Sequence, residues 1–328
     1  TKTMTMVEAI QSAQHIAMTA NKEVFILGED VGDPQGGVFG TNKGLQTEFG
    51  NTRVRPTPIA EQAIIGAAIG SSIAGMRPIA EIMFTDFLGV CMDQIANHAA
   101  KQRYMSGSAT HAPMVIRVQA GGGMGGFGAQ HSQSMEAWIT HIPGIKVLYP
   151  SNPVDAKGML LSAIDDPDPV LIIESMMLLY TQKAEVPVAE YKIPLGVASV
   201  KREGSDITLI SYGWMLNMCL AAAEELAKDG ISAEVIDLRS LVPIDYDRVF
   251  KSVRNTGRAL VAHAAVEFCG LGAEICSTIN EELWGELKSP AIRLGAEYAP
   301  IAYSNAIETN QVPNIASIVA RAKAAVKG

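Results

Sequence analysis

Cysteine is scarce in this 328-residue chain. There are four, at positions 91, 219, 269 and 276, with no C-x-x-C pair and no histidine at zinc-ligand spacing from a pair. That argues against a disulfide framework and a structural zinc, and makes buried free thiols the expectation. Basic residues are outnumbered, 26 Lys+Arg against 34 Asp+Glu, giving a net charge of −8. Nucleic-acid phosphates demand a basic face, so nucleic acid is not an expected partner. No apolar run approaches the ~18 residues of a membrane span, so no membrane contact is expected. The start, TKTMTMVEAIQSAQ, lacks a basic region followed by an apolar core, unlike a secretory signal. The expected compartment is cytoplasmic, with the mitochondrial matrix as the alternative if a transit peptide has been removed. Short-period repeats and low-complexity tracts are absent too.

What is present is apolar bulk: 48% of residues are hydrophobic and 18% charged. That suffices for sizeable cores, and the length suits about two domains. Strand-like runs near 24–27, 79–82, 114–118, 145–149 and 170–173 alternate with helical segments near 58–75, 87–104 and 153–164. Residues 181–204 hold two prolines and many charges and read as an interdomain crossing. A second unit follows, with strands near 207–210, 233–237, 259–262 and 290–294 and helices near 214–228 and 313–326. The expected fold class is α/β, two domains, each a mainly parallel sheet with helices on both faces. The expected bounds are 1–187, a linker at 188–204, and 205–328.

The densest signal is GGGMGGFGAQHSQSMEAW, residues 121–138. Six of the eight residues from Gly121 to Gly128 are glycine, and the run leads into His131. Glycine is costly on folding and is tolerated where backbone must approach something closely. The imidazole titrates near neutral pH. A dinucleotide loop is the rival reading, because Gly121, Gly123 and Gly126 satisfy G-x-G-x-x-G. That reading needs an acid about 20 residues on, and residues 137–154 contain no Asp or Glu.

Glu61 lies in Pro58-Ile59-Ala60-Glu61-Gln62, expected one turn into the 58–75 helix, and no charge follows it until Arg77. Helix-dipole placement accounts for it as well as a buried acid that bonds a ligand nitrogen. Asp165-Asp166-Pro167-Asp168-Pro169 is a turn by composition, or an oxygen-rich cation site. His15 and His98 read as structural, His141 as a helix-end residue, and His263, after a strand end, as a secondary candidate.

Together these segments resemble the β subunit of thiamine diphosphate-dependent 2-oxo acid dehydrogenases, the E1β chains of pyruvate, branched-chain and acetoin dehydrogenase complexes. The matches run nearly end to end. They include ILGEDVG at 26–32, GGVFGTNKGL at 36–45, TPIAEQAIIGAAIG at 57–70, GMRPIAEIMFTDF at 75–87, DQIANHAAKQRYMSG at 93–107, GAQHSQSMEA at 128–137, HIPGIKVLYPSNPVDAKGMLLSAI at 141–164 and DLRSLVPID at 237–245. The resemblance implies a transketolase-like pyrimidine-binding domain followed by a transketolase C-terminal-like domain. It implies that Glu61 bonds the cofactor's aminopyrimidine and favours its imino form, that Phe87 stacks on that ring, and that Ile59 and Met83 line the pocket. The resemblance further implies that His131 faces the reacting substrate and the incoming lipoyl arm. Val115, Ala163, Ile164, Asp166 and Asp168 match a potassium site.

The family's Gly-Asp-Gly motif for diphosphate and Mg²⁺ does not occur here. The resemblance therefore implies an E1 α subunit that supplies the Mg²⁺ ligands in an α2β2 heterotetramer, and an E2 lipoyl acyltransferase as acceptor. Two segments depart from the family. His263-Ala264-Ala265 replaces His-Glu-Ala, and Tyr298-Ala299-Pro300-Ile301-Ala302 replaces D-x-P-x-P; both fall in the second domain. Two rival functions are half of a split transketolase-like enzyme acting on sugar phosphates and a non-catalytic scaffold subunit. The first calls for basic residues near the pocket, and 121–134 has none. The second leaves the joint presence of Glu61, Phe87 and His131 without a purpose.

Overall fold

The computed structural model describes residues 1–123 and 125–327. The chain divides into two compact units. The first comprises Thr1–Ala120 and Trp138–Leu195; the second comprises Gly121–Ala137 and the chain from Gly196 onward. The expected bounds differ from this: the division falls at 195/196, inside the expected linker, and the glycine-rich segment groups with the second unit.

In the first unit the strands are β1 (Lys2–Thr5), β2 (Val24–Glu29), β3 (Val54–Thr57), β4 (Arg77–Phe84), β5 (Val115–Ala120), β6 (Lys146–Leu148), β7 (Val170–Ser175) and β8 (Lys183–Val186). The main sheet runs β6-β7-β5-β4-β2-β3, and every neighbouring pair is parallel. All six residues of β5 and of β7 are buried, as expected when helices cover both faces. The helices in order are α1 (Met6–Ala20), α2 (Leu45–Phe49), α3 (Glu61–Ile73), α4 (Gln102–Met105), α6 (Pro153–Asp165) and α7 (Met176–Leu179); α5 (Glu136–Thr140) spans the division, its first two residues grouping with the second unit. α1, which the sequence reading omitted, starts with a capping box. Thr5 N–H donates to Glu8 Oε2 at 2.7 Å, and Glu8 N–H donates to Thr5 Oγ1 at 3.2 Å. That backbone bond to Thr5 is the main reason the Glu8 carboxyl is held below the usual range. α6 begins with Pro153 after an Asn152 cap that accepts Asp155 N–H at 2.9 Å.

In the second unit, β9 (Ser199–Arg202), β10 (Ile207–Ser211), β11 (Ala233–Asp237), β13 (Ala259–Val266) and β14 (Ile292–Ala296) form a sheet in the order β14-β13-β10-β11-β9. Its pairs are parallel except β9, which is antiparallel to β11. A short strand β12 (Ser240–Val242) lies between β11 and β13 in sequence, and the helices are α8 (Met215–Lys228), α9 (Tyr246–Thr256), α10 (Leu271–Glu282), α11 (Asn305–Gln311) and α12 (Ile315–Lys327).

Several expectations are corrected. The 58–75 helix is shorter: α3 starts at Glu61, because Ala60 at φ −156°, ψ 73° is not helical. Pro58 precedes the helix, and Glu61 is its first residue. The 87–104 helix is instead a 3₁₀ turn at Thr85–Gly89, a π-helical stretch at Gln94–Ala99 and α4. His263 lies within β13, not after a strand end. Cys91, Cys219 and Cys276 are buried, whereas Cys269 is exposed. Among the described residues, no helix is long and apolar enough to cross a membrane.

Candidate active site

In a parallel sheet, side chains for chemistry collect beyond the carboxyl ends of the strands. β3, β2 and β4 are adjacent, and their ends lead into Pro58–Glu61, Glu29–Asp30 and Met83–Phe87. Glu61 is 9% exposed at the head of α3. Among the described residues, no hydrogen bond or ion pair reaches its carboxylate. The positive end of the helix favours the negative charge. Its charge is felt nearby. Burial, then Asp30 and Glu61, raise the Glu29 carboxyl above its usual range. Burial, then Glu61, push the Cys91 thiol up to about 12. The Cys91 Sγ lies 3.8 Å from the Phe87 carbonyl oxygen, so Phe87, Cys91 and Glu61 belong to one neighbourhood.

Phe87 and Met83 are half-buried, and Ile59 is 75% exposed. Phe84 meets Phe87 edge-on at 5.9 Å and Phe39 edge-on at 5.8 Å. The backing rings fix the Phe87 ring. Ile59, Glu61, Met83 and Phe87 are thus gathered at one end of the first sheet: apolar side chains near a carboxylate that no protein donor bonds among the described residues. That arrangement fits a flat heteroaromatic ring carrying an N–H group.

His131 belongs to the second unit and is half-buried. Its backbone closes a turn, His131 N–H donating to Gly128 O at 3.3 Å. Glycine is required at position 121, where a Cβ would collide with the His131 carbonyl. Close by, buried Glu136 accepts from the Tyr212 hydroxyl at 2.9 Å; burial raises its carboxyl above the usual range, and the Tyr212 bond partly offsets this.

Ala163, Ile164, Asp166 and Asp168 lie at the end of α6 and the turn after it, and Val115 in β5 pairs with Val170 just beyond that turn. Arg77 Nη1 donates to Ile164 O at 3.1 Å and Asp166 O at 2.7 Å. Lys146 Nζ is 2.8 Å from Asp166 Oδ1, and Arg103 Nη1 is 2.6 Å from Asp168 Oδ2. Ala163 O accepts from the Asp166 N–H at 3.2 Å. Side-chain cations already cross-link this turn, and each carbonyl retains a second lone pair. Among the described residues, no three His, Cys, Asp or Glu side chains converge as a metal site. Of the other histidines, His15 pairs with Glu48 at 2.9 Å, His98 with Asp93 at 3.5 Å, His141 is exposed just after α5, His111 Nδ1 is 3.9 Å from Asp168 Oδ1, and His263 is buried in β13.

The sequence reading missed a buried ion cluster across β4, β5 and β7. Arg117 is 0% exposed and grips both Glu174 oxygens, at 2.6 and 2.8 Å. Its Nη1 reaches Glu81 at 2.9 Å and Gln14 of α1 at 3.1 Å. Burial raises the Glu81 carboxyl, with Arg117 as the chief opposing influence. The available signal was an opposite charge inside each of three otherwise apolar strands.

Residues 2–182 match the family described as transketolase, pyrimidine binding domain, and residues 196–318 match transketolase, C-terminal domain. The β subunit of an acetoin:2,6-dichlorophenolindophenol oxidoreductase from Cupriavidus necator is 44% identical over 98% of this chain and 96% of its own. A pyruvate dehydrogenase E1 component subunit beta from Staphylococcus epidermidis is 44% identical over 99% of both chains. The chain belongs to the E1 β-subunit family of 2-oxo acid and acetoin dehydrogenases. A solved structure described as a split gene transketolase, inactive beta4 tetramer, matches this E1 β-family chain in fold, with TM-score 0.79, 24% identity and coverage of 99% and 98%.

Proposed function

We propose that this chain is the β subunit of an E1 component. With an α subunit it uses thiamine diphosphate to decarboxylate a 2-oxo acid, or cleave acetoin, and passes the acyl group to E2-bound lipoamide. One observation carries the reading: the Glu61 carboxylate, at the head of α3, has no hydrogen-bond donor among the described residues and shares a neighbourhood with Phe87, in a domain of the pyrimidine-binding family.

Bound thiamine diphosphate supplies the electron sink for cleaving the bond to the carbonyl carbon. Glu61 accepts a hydrogen bond from the pyrimidine ring and holds a proton there. Phe87 presents its face to the ring, and Ile59 and Met83 exclude water from it. His131 moves a proton at the reacting oxygen or sulfur. The ligands for Mg²⁺ and the cofactor's diphosphate would come from the α subunit. The exposed face of α3, with Ala63, Gly66, Ala67 and Gly70, offers that subunit a surface with little side-chain bulk. A potassium ion at the turn after α6 would use the carbonyl lone pairs that Arg77 leaves free. Close identity over whole chains favours this reading over a split transketolase, whose likeness rests on fold alone.

The test is Glu61→Gln in the assembled α/β pair. Exchange of the cofactor's C2 proton should fall by roughly 10²-fold or more. The unfolding temperature should not drop, because the carboxylate bonds nothing within the chain. Normal exchange in this variant would refute the assignment. A panel of pyruvate, branched-chain 2-oxo acids and acetoin with a dye acceptor then reads the substrate.

A further inference from the structure

The segment that carries His131 is tied to α11. The Gly123 N–H donates to Glu308 Oε1 at 2.7 Å. Glu308 is 0% exposed, and among the described residues its Oε2 has no hydrogen-bond partner. The same stretch of chain makes two more contacts. The Gly126 N–H donates to Tyr303 O at 3.1 Å. A Cβ on Gly125, at φ +75°, would meet the Asn305 side chain at 3.0 Å. A run this rich in glycine loses much entropy when ordered, so a fixed loop needs a strong tether. A carboxylate on a backbone N–H is such a tether, stronger than a bond between neutral groups. For stability alone, a buried acid with one oxygen unsatisfied is a poor choice, and an apolar residue would serve better. Its retention fits a positional task.

We infer that Glu308 is a positioning residue for His131: its carboxylate grips the Gly123 N–H and sets the path of the loop that delivers the imidazole. This rests on the reading of His131 as the group that serves the reacting substrate and the lipoyl arm. Glu308 itself touches neither.

The test uses the assembled α/β enzyme carrying Glu308→Ala or Glu308→Gln, with two readouts. The first is amide hydrogen exchange over residues 121–131 in the resting enzyme. The second is acylation of a lipoyl domain, expressed relative to dye reduction. Glu308→Ala should exchange at least about tenfold faster over this segment and lose about tenfold or more of lipoyl acylation relative to dye reduction. Glu308→Gln, whose amide carbonyl still accepts the Gly123 N–H, should recover protection and most of the acylation. Wild-type protection in Glu308→Ala would overturn the inference, as would a Gln variant as impaired as Ala. If the Ala variant fails to assemble, Glu308→Asp, which withdraws the oxygen by one methylene, takes its place with the same expectations. A wild-type pair that reduces no dye with any substrate would sink the functional reading, while the exchange measurement would still decide whether Glu308 holds the loop.

Discussion

His263 provides a pH test of the second unit's core. It lies within β13 at 0% exposure. Its Nδ1 is 3.0 Å from Ala265 O, which places the proton on Nδ1 and leaves Nε2 bare. That Nε2 has no hydrogen-bond partner among the described residues. Gly270, Gly272 and Gly295 crowd the ring so closely that a Cβ on any of them would come within 2.6 to 2.7 Å of a ring atom. Tyr212 stacks parallel to it at 6.5 Å. No room remains for water to solvate an imidazolium. Burial is the main cause that lowers its pKa from 6.5 to about 4; Arg293 adds to the shift, while Ala265 and Glu267 oppose it. Above pH 6.5 the ring is neutral in both folded and unfolded chains and has no effect on the balance. Between 6.5 and about 4 only the unfolded chain takes up the proton, so stability is lost by about 1.4 kcal/mol per pH unit. The whole interval is worth roughly 3 kcal/mol. His263→Asn keeps a donor for Ala265 and removes the titration. Urea midpoints of wild type and variant, measured from pH 7.5 to 4, should converge as pH falls, because only the wild type suffers this loss. Parallel profiles would show that the ring titrates normally and that the packing argument is wrong.

Two other expectations concern stability. Arg117→Met leaves Glu81 and Glu174 buried together without their cation, and should cost about 3–5 kcal/mol by urea unfolding; a loss below about 1 kcal/mol would mean the carboxyls are neutral or hydrated. If potassium binds after α6, the unfolding midpoint should rise by a few degrees in 100 mM KCl relative to choline chloride at equal ionic strength; identical midpoints would leave the side-chain cations Arg77, Arg103 and Lys146 to hold the turn.

Much of the sheet architecture could be read from residue order. β5 and β7 are short apolar runs bounded by turns, and runs of that kind are buried on both faces. Helix ends were harder. Pro58 suits a first turn, yet Ala60 breaks the helical path, so Glu61 moves to the helix head. The 94–105 stretch has helical composition but winds as π-helix and a short α-turn. Ile59, Glu61, Met83 and Phe87 could be proposed because the resemblance runs through their motifs. Glu308 could not: it sits in an ordinary helical stretch, and its partner Gly123 lies 185 residues away. Arg117 was equally hidden, because the pairing of its strand with β4 and β7 is a property of the fold.

The central claim is that this polypeptide carries only the pyrimidine-side half of a thiamine diphosphate site. Calorimetric titration of thiamine diphosphate with Mg²⁺ tests it directly, first into this chain alone and then into its complex with the α subunit. Tight, Mg²⁺-dependent binding should appear only in the complex and should weaken when Phe87 is replaced by Ala. Equally tight binding to the isolated chain, indifferent to Phe87, would contradict the account.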